Sequence, residues 1–163
     1  MVSMKSINYR GGIARFNLPS SWAEEYDQEG GAAFYEDKPD SGTLRINVMN
    51  IEKPPGKVGP ADTVDNVIAQ ISGTGSVHRL PTGVVIAQTN RLADEDGNEL
   101  SIENWYLGVT IASNHFRIII FTYTILAAQK SDASVQQEIA MLNRSISEGE
   151  YPAVRGVSGS HVQ

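Results

Sequence analysis

Hydrophobic and polar positions alternate through the first third of the chain. The alternation runs over residues 13–18 and stops at Pro19, which is typical of a strand with one buried face. Further strands are predicted at 31–35 and 43–51. In the latter, Leu44, Ile46 and Val48 form an apolar face. The opposite face of that strand carries polar residues, so it is either solvated or functional.

A helical period replaces the alternation in two segments. After the proline- and glycine-rich stretch 54–60, apolar residues recur at i, i+3, i+4 and i+7, namely Val64, Val67, Ile68 and Ile71. Asp62 is predicted to cap this helix and Gly73 to end it. A second amphipathic helix is predicted to start at Ser131 or Asp132 and to end at Gly149. Its apolar stripe is Val135, Ile139, Leu142 and Ile146.

Between the two helices the chain returns to strands, predicted at 77–80, 84–93, 100–112 and 115–126. Asp96–Gly97 is a strong hairpin signal, because glycine readily adopts positive φ, and Ser113–Asn114 predicts a second tight turn. The strand 115–126 is apolar on both faces. It is therefore predicted to lie in the centre of the sheet, where both faces can be covered.

The resulting order is β-β-β-α-β-β-β-β-α, and its consecutive hairpins predict a mainly antiparallel sheet of about six or seven strands with two main helices. This is an α+β fold. The 163 residues suffice for one domain, which we place at 1–150. Residues 151–163 show neither period and are predicted to form a flexible tail.

Composition excludes several classes of function. The chain has no cysteine, so thiol nucleophiles, disulfides, thiolate zinc sites and iron–sulfur clusters are ruled out. A formal net charge of −6 without any cluster of Lys and Arg argues against nucleic acid as a partner. No secretory leader and no membrane span is visible, which predicts a cytoplasmic protein.

No catalytic or cofactor motif survives inspection. The segment 73–78 starts like a dinucleotide fingerprint, but it follows a helix and has His78 at the third glycine position. Asp94, Asp96 and Asn98 have the spacing of the first calcium ligands of an EF-hand, yet the later ligands and the flanking helices are missing. We therefore expect a protein that is not an enzyme and needs no cofactor or metal.

The acidic residues concentrate near the predicted hairpin. They are Asp94, Glu95, Asp96, Glu99 and Glu103. A solvated hairpin end explains such a cluster more simply than an active site does. For Glu103 we also considered a cross-strand ion pair with Arg45 or Arg117.

Polar residues on neighbouring predicted strands form a candidate binding patch. Its members are Arg45, Asn47, Arg91, Glu103, His115 and Arg117, with Gln88, Asn90 and Tyr106 as further polar positions. An ordinary solvated sheet surface is the alternative interpretation. A different class of function, a small-molecule binder or hydrolase, would require Glu103, His115 and Arg117 to converge in one pocket.

Several short motifs resemble the PsbP-like group of proteins. They are Phe16–Asn17–Leu18–Pro19 followed by Trp22, the pair Phe34–Tyr35, the strand Gly42–Thr43–Leu44–Arg45–Ile46–Asn47–Val48, and a last long strand followed by one amphipathic helix. The group includes the Ran-binding Mog protein, photosystem II extrinsic subunits, DcrB-like bacterial proteins and Eag-type chaperones of type VI secretion effectors. The resemblance spans roughly residues 10–150.

The resemblance implies an α/β/α sandwich and a non-enzymatic role in binding another protein. It carries no catalytic residue onto this chain. The leading hypothesis is therefore a small bacterial-type adaptor or chaperone-like domain that binds a polypeptide through a sheet face or edge and could act as a homodimer. The binder or hydrolase of small molecules is the alternative.

Overall fold

The fold is built around a seven-stranded antiparallel sheet, seen in a computed structural model that describes residues 2–54, 56, 59 and 62–153. The helices are α1 (Val64–Ser72) and α2 (Ala133–Ser147). The strands are β1 (Met4–Tyr9), β2 (Ala14–Pro19), β3 (Trp22–Tyr26), β4 (Ala32–Glu36), β5 (Thr43–Glu52), β6 (His78–Arg79), β7 (Val85–Glu95), β8 (Asn98–Ala112) and β9 (His115–Leu126).

Strand order in the large sheet is β3-β4-β5-β9-β8-β7-β6, and every neighbouring pair is antiparallel. The predicted central position of the last strand is confirmed, since β9 is the fourth of seven. The remaining strands, β1 and β2, form a separate antiparallel hairpin. The expected α+β fold with a mainly antiparallel sheet is confirmed.

One face of the large sheet is buried in the main hydrophobic core. The β1–β2 hairpin and α2 cover it, and Phe121 of β9 lies in the middle with its ring 5.1 Å from that of Phe16. The stripe predicted for the second helix points to this face, with Leu142 and Ile146 fully buried. We call this side the covered face.

Helix α1 packs on the other face and occupies only one end of it. Val64 and Ile68 of the helix form a second core with Val85, Phe116 and Ile118. Since α1 and α2 lie on opposite sides of the sheet, the two predicted amphipathic stripes account for a three-layer arrangement.

The helix ends follow local chemistry and correct one prediction. Thr63, not Asp62, caps α1, because its side chain accepts a hydrogen bond from the backbone N–H of Asn66. Asp62 instead pairs with Lys53, which lowers the pKa of the Asp62 carboxyl. Gly73 ends α1 with φ +74°, as predicted. In the described part of the chain, no helix has the length and apolar character needed to cross a membrane.

The hairpin between β7 and β8 turns at Asp96 and Gly97, as predicted, with φ of +52° and +83°. Positive φ at both central residues is the geometry of a tight two-residue hairpin turn. Four of the five clustered acids, from Asp94 to Glu99, are exposed at this tip. Glu103 differs from them and is buried.

Two strands and the start of the tail depart from the predictions. Strands β1 and β3 were not predicted. Each has few buried positions, since Trp22 is the one buried residue of β3, so the alternation is faint. The flexible tail was predicted from 151, but Tyr151 is buried and donates a hydrogen bond of 2.6 Å to the Ile146 carbonyl. Residues 154–163 lie outside the described part of the chain.

Candidate functional site

Helix α1 leaves about half of its sheet face uncovered, and this half carries polar side chains. We call it the open sheet face; its residues are Thr43, Arg45, Asn47, Thr89, Arg91, Ile102, Asn104, Thr122 and Thr124. They share one face because opposite residues of neighbouring strands point the same way. Strand β9 shows the change clearly, since Phe116 and Ile118 lie under α1 whereas Thr122 and Thr124 do not.

Arg45 occupies the middle of the open sheet face. The cross-strand row through it runs Glu25, Ala33, Arg45, Thr122, Asn104 and Thr89. Its exposed side chain lies where two shallow depressions meet. One is lined by Thr43, Thr124 and Glu95, and the other by Asn47, Glu25 and Asp27. Among the residues described, Arg45 forms neither a salt bridge nor a side-chain hydrogen bond. The guanidinium is available to a partner.

Asn104 lies two strands away from Arg45 in the same row and is 95% buried, since its exposed fraction is 5%. Its Oδ1 accepts a hydrogen bond of 3.3 Å from the Thr122 hydroxyl, but its Nδ2 has no partner within the described residues. A buried amide without an acceptor costs about 1–3 kcal/mol. A buried donor of this kind calls for a specific explanation.

The structure separates the six residues of the predicted patch. Arg45, Asn47 and Arg91 lie together on the open sheet face. The other three are Glu103, His115 and Arg117, and they lie on the covered face.

Glu103 is 8% exposed and belongs to a polar cluster at one end of the covered face. Its carboxylate accepts hydrogen bonds from Asn90 Nδ2 at 2.9 Å and from Gln88 Nε2 at 3.3 Å. Asn90 also donates to the Ser101 hydroxyl at 3.0 Å. These bonds hold a buried carboxylate in place without a cation, so the ion pair considered for Glu103 does not form.

His115 and Arg117 lie at the opposite end of the covered face. Arg117 is 1% exposed and donates to the Pro152 carbonyl at 3.1 Å, while burial, with a smaller contribution from Arg10, lowers its pKa. His115 Nε2 is 3.0 Å from Asn50 Oδ1. Because Glu103 is opposite Tyr123, six residues along β9 from Arg117, about 20 Å separates them. The pocket required for the small-molecule alternative is not formed.

The open sheet face supplies hydrogen-bonding groups and arginine cations, with the carboxylates of Glu25, Asp27 and Glu95 at its border. Its residues are arginine, asparagine, threonine and isoleucine, which bind and orient but do not form a nucleophile with a general base. No group of three or more His, Asp or Glu side chains that could hold a metal ion occurs in the described residues. Chemically, this surface is suited to recognition.

Sequence reasoning missed Asn104, Thr122 and Thr124. A signal was present: in the second half of β9 the even-numbered positions change from isoleucine to threonine, after Ile120. That change marks where the covering helix ends.

Comparison with solved structures supports the fold. The chain superimposes on LpqN, described as involved in cell envelope biogenesis of Mycobacterium tuberculosis, with a TM-score of 0.62 at 11% identity over 93% of this chain and 92% of LpqN. A Bacteroides thetaiotaomicron protein gives a TM-score of 0.58 at 19% identity over 91% of this chain. The chain spans about half of that protein, 48% of its length. No family model and no curated protein matches this chain.

Proposed function

We propose that this protein is a non-enzymatic polypeptide-binding domain that uses the open sheet face as its contact surface. The observation that supports it most directly is the uncovered half of the sheet, where an unpaired Arg45 lies in one cross-strand row with a buried Asn104 that lacks an acceptor. The resemblance to the PsbP-like group, with its adaptors and chaperones, agrees with this role. The cytoplasmic location stays a prediction.

The chemistry of the face favours an extended partner segment that carries a carboxylate. Arg45 can hold a carboxylate through two parallel hydrogen bonds, and such charge-assisted bonds are stronger than neutral ones. The Thr124 hydroxyl can donate to a backbone carbonyl of the same segment. The Thr122 hydroxyl already donates to Asn104 Oδ1, so it can only accept, from a backbone N–H. The partner is therefore expected to be a peptide segment that lies across the strands and presents one carboxylate to Arg45. It is not expected to be acidic throughout, because Glu25, Asp27 and Glu95 line the same depressions.

Site-specific photo-crosslinking in the native cells tests this proposal. A photoreactive residue at Thr124, on the open sheet face, is expected to capture a polypeptide, whereas the same residue at exposed Lys38 is not. Arg45→Glu should reduce the capture at least about tenfold, since it places a carboxylate against the partner's own. Lys38→Glu serves as the matched charge control. Equal capture from both positions, or capture that survives Arg45→Glu, would contradict the proposal.

Asn104→Leu is expected to leave the fold at least as stable while it weakens partner capture. Leucine removes the Nδ2 group that has no acceptor, but it also breaks the 3.3 Å hydrogen bond from the half-buried Thr122 hydroxyl, which can bond to water instead. The free energy of unfolding should therefore stay level or rise by up to about 1 kcal/mol. Urea denaturation measures this change, and crosslinking from Thr124 measures the loss of binding. A loss of binding without a loss of stability is typical of a functional position.

Asn114→Leu is the matched control for this substitution. Asn114 Nδ2 donates to the Lys53 carbonyl at 2.7 Å, so the same change there breaks a made hydrogen bond and should lower stability. If Asn104→Leu destabilised the protein as much as Asn114→Leu, the carboxamide of Asn104 would be structural.

A further inference from the structure

Strand β7 leaves most of its outer edge unpaired. The short β6 pairs only with Val85 and Ile86, and no strand in the described part of the chain lies beside β7 from Gln88 to Glu95. The β7–β8 register is unbroken from Val85 to Glu95, and the segment contains no proline. Bulges, prolines and charged side chains are the usual devices that prevent pairing at an edge. This edge has neither a bulge nor a proline, and its charges at Arg91, Asp94 and Glu95 have both signs.

The backbone groups that point outward can be assigned from β6. Leu80 N–H donates to the Val84 carbonyl at 2.7 Å, so Val84 directs its backbone groups away from β8. Because this direction alternates along an antiparallel strand, the even-numbered residues Gln88, Asn90, Leu92 and Asp94 present their backbone groups outward. The Leu92 side chain is 59% exposed on the same edge.

We propose that a second copy of this chain pairs with this edge, β7 against β7, in antiparallel orientation about a two-fold axis perpendicular to the sheet. Such an axis keeps each face of the sheet on its own side, so residues that oppose each other must have the same parity. In the register that places Ala93 on the axis, Leu92 of each copy pairs with Asp94 of the other through outward backbone groups.

Charge complementarity selects this register. It sets Arg91 of each copy directly opposite Glu95 of the other, which gives two equivalent ion pairs on the side of the open sheet face. Opposite charges in this position stabilise strand pairing, and no like charges face each other directly. On the covered side the exposed Leu92 side chains become diagonal neighbours, and so do the two Asp94 carboxylates. The two direct Arg91–Glu95 ion pairs therefore have to outweigh one diagonal repulsion.

The consequence for the binding surface is geometric. The two open sheet faces would lie side by side on one continuous sheet and point in the same direction. Arg91 would be engaged at the junction, which leaves Arg45 of each copy for the partner. Two adjacent sites would raise the affinity for a partner long enough to reach both.

A cysteine variant tests the pairing on purified protein, without any partner, so its outcome is independent of the function proposed above. The chain has no cysteine, and Ala93→Cys introduces a single thiol per copy. Opposed residues that are not hydrogen-bonded have Cα atoms about 4.5 Å apart, within the range for a disulfide. Mild oxidation should link Ala93→Cys into a dimer much faster than Lys38→Cys, an exposed control. Equal rates would overturn the proposal.

Charge exchange provides the second test. Arg91→Glu or Glu95→Arg alone should weaken association about tenfold in sedimentation measurements, because each places like charges opposite each other twice. The double variant Arg91→Glu with Glu95→Arg restores complementarity and should restore the dimer. A double variant as weak as the single ones would exclude this register.

Leu92→Pro completes the test of the edge. Proline at a position whose N–H points to solvent is tolerated on an edge strand, so the monomer should fold, as circular dichroism will show. The same proline removes a hydrogen bond at the centre of the proposed pairing and should abolish the dimer. A wild-type protein that stays monomeric at millimolar concentration, or a dimer that persists in Leu92→Pro, would refute the proposal.

Discussion

Phe121→Ala is expected to lower the free energy of unfolding by about 3–5 kcal/mol. Phe121 is fully buried in the central strand, opposite Ile46 on one side and Trp105 on the other. Its ring contacts Phe16 edge-on and lies 6.3 Å from that of Tyr151. The truncation would leave a cavity that cannot close easily. The residues around it belong to the sheet, to the β1–β2 hairpin and to the C-terminal segment, and each of these is held in place by its own contacts. Urea or thermal denaturation measures the loss.

Thr124→Ala is the matched control in the same strand. Thr124 points to the open sheet face and is half-buried, so its truncation should change stability by no more than about 0.5 kcal/mol. The difference between the two losses measures how much more side-chain packing on the covered face contributes to stability than packing on the open sheet face. Comparable losses in both would mean that something in the native protein packs on the open sheet face as tightly as α2 packs on the covered one.

Gly108→Ala is expected to destabilise the fold by about 1–3 kcal/mol, through overpacking. Gly108 lies in β8 directly beneath α1, and a Cβ added there would be 2.5 Å from Cγ2 of Val64 and 2.8 Å from Cγ1 of Ile68. The backbone is in a strand, so the space taken by α1, and not a special φ, requires glycine here. Gly75→Ala is the control, since no heavy atom lies within 4 Å of its added Cβ.

Val64→Ala should partly rescue Gly108→Ala. The truncation removes the methyl group nearest to the new Cβ, so the double variant should be more stable than the sum of the single losses predicts, by about 0.5–2 kcal/mol. Additive losses would show that α1 shifts as a rigid unit, and that the contact between Val64 and residue 108 does not determine its position. The cycle thus tests what fixes the position of α1 and therefore the border of the open sheet face.

Much of the fold could be predicted from local pattern. Periods of two and 3.6 residues located seven of the nine strands and both helices, and the turn at Asp96–Gly97 followed from glycine chemistry. The missed strands β1 and β3 have few buried positions each, so they depend on contacts made elsewhere in the chain. Tyr151 shows the same limit, because a single aromatic residue in an aperiodic tail gives no sign of its burial.

The candidate site was only half predictable. Arg45, Asn47 and Arg91 were identified as polar strand positions, and they do share a surface. Glu103 and Arg117 were grouped with them, although the register places both on the covered face. A single strand's alternation assigns its residues to two faces. It does not state which face of one strand continues into which face of the next.

The sequence by itself therefore determined both helices, seven of the nine strands, the consecutive hairpins and the central position of the last strand, because these follow from local periodicity and from residues close along the chain. Only the tertiary structure decided how far α1 extends over the sheet, which face carries each polar residue, and that Arg45 and Asn104 lie in one row. These properties depend on register between strands distant in sequence, and packing across the whole sheet fixes that register.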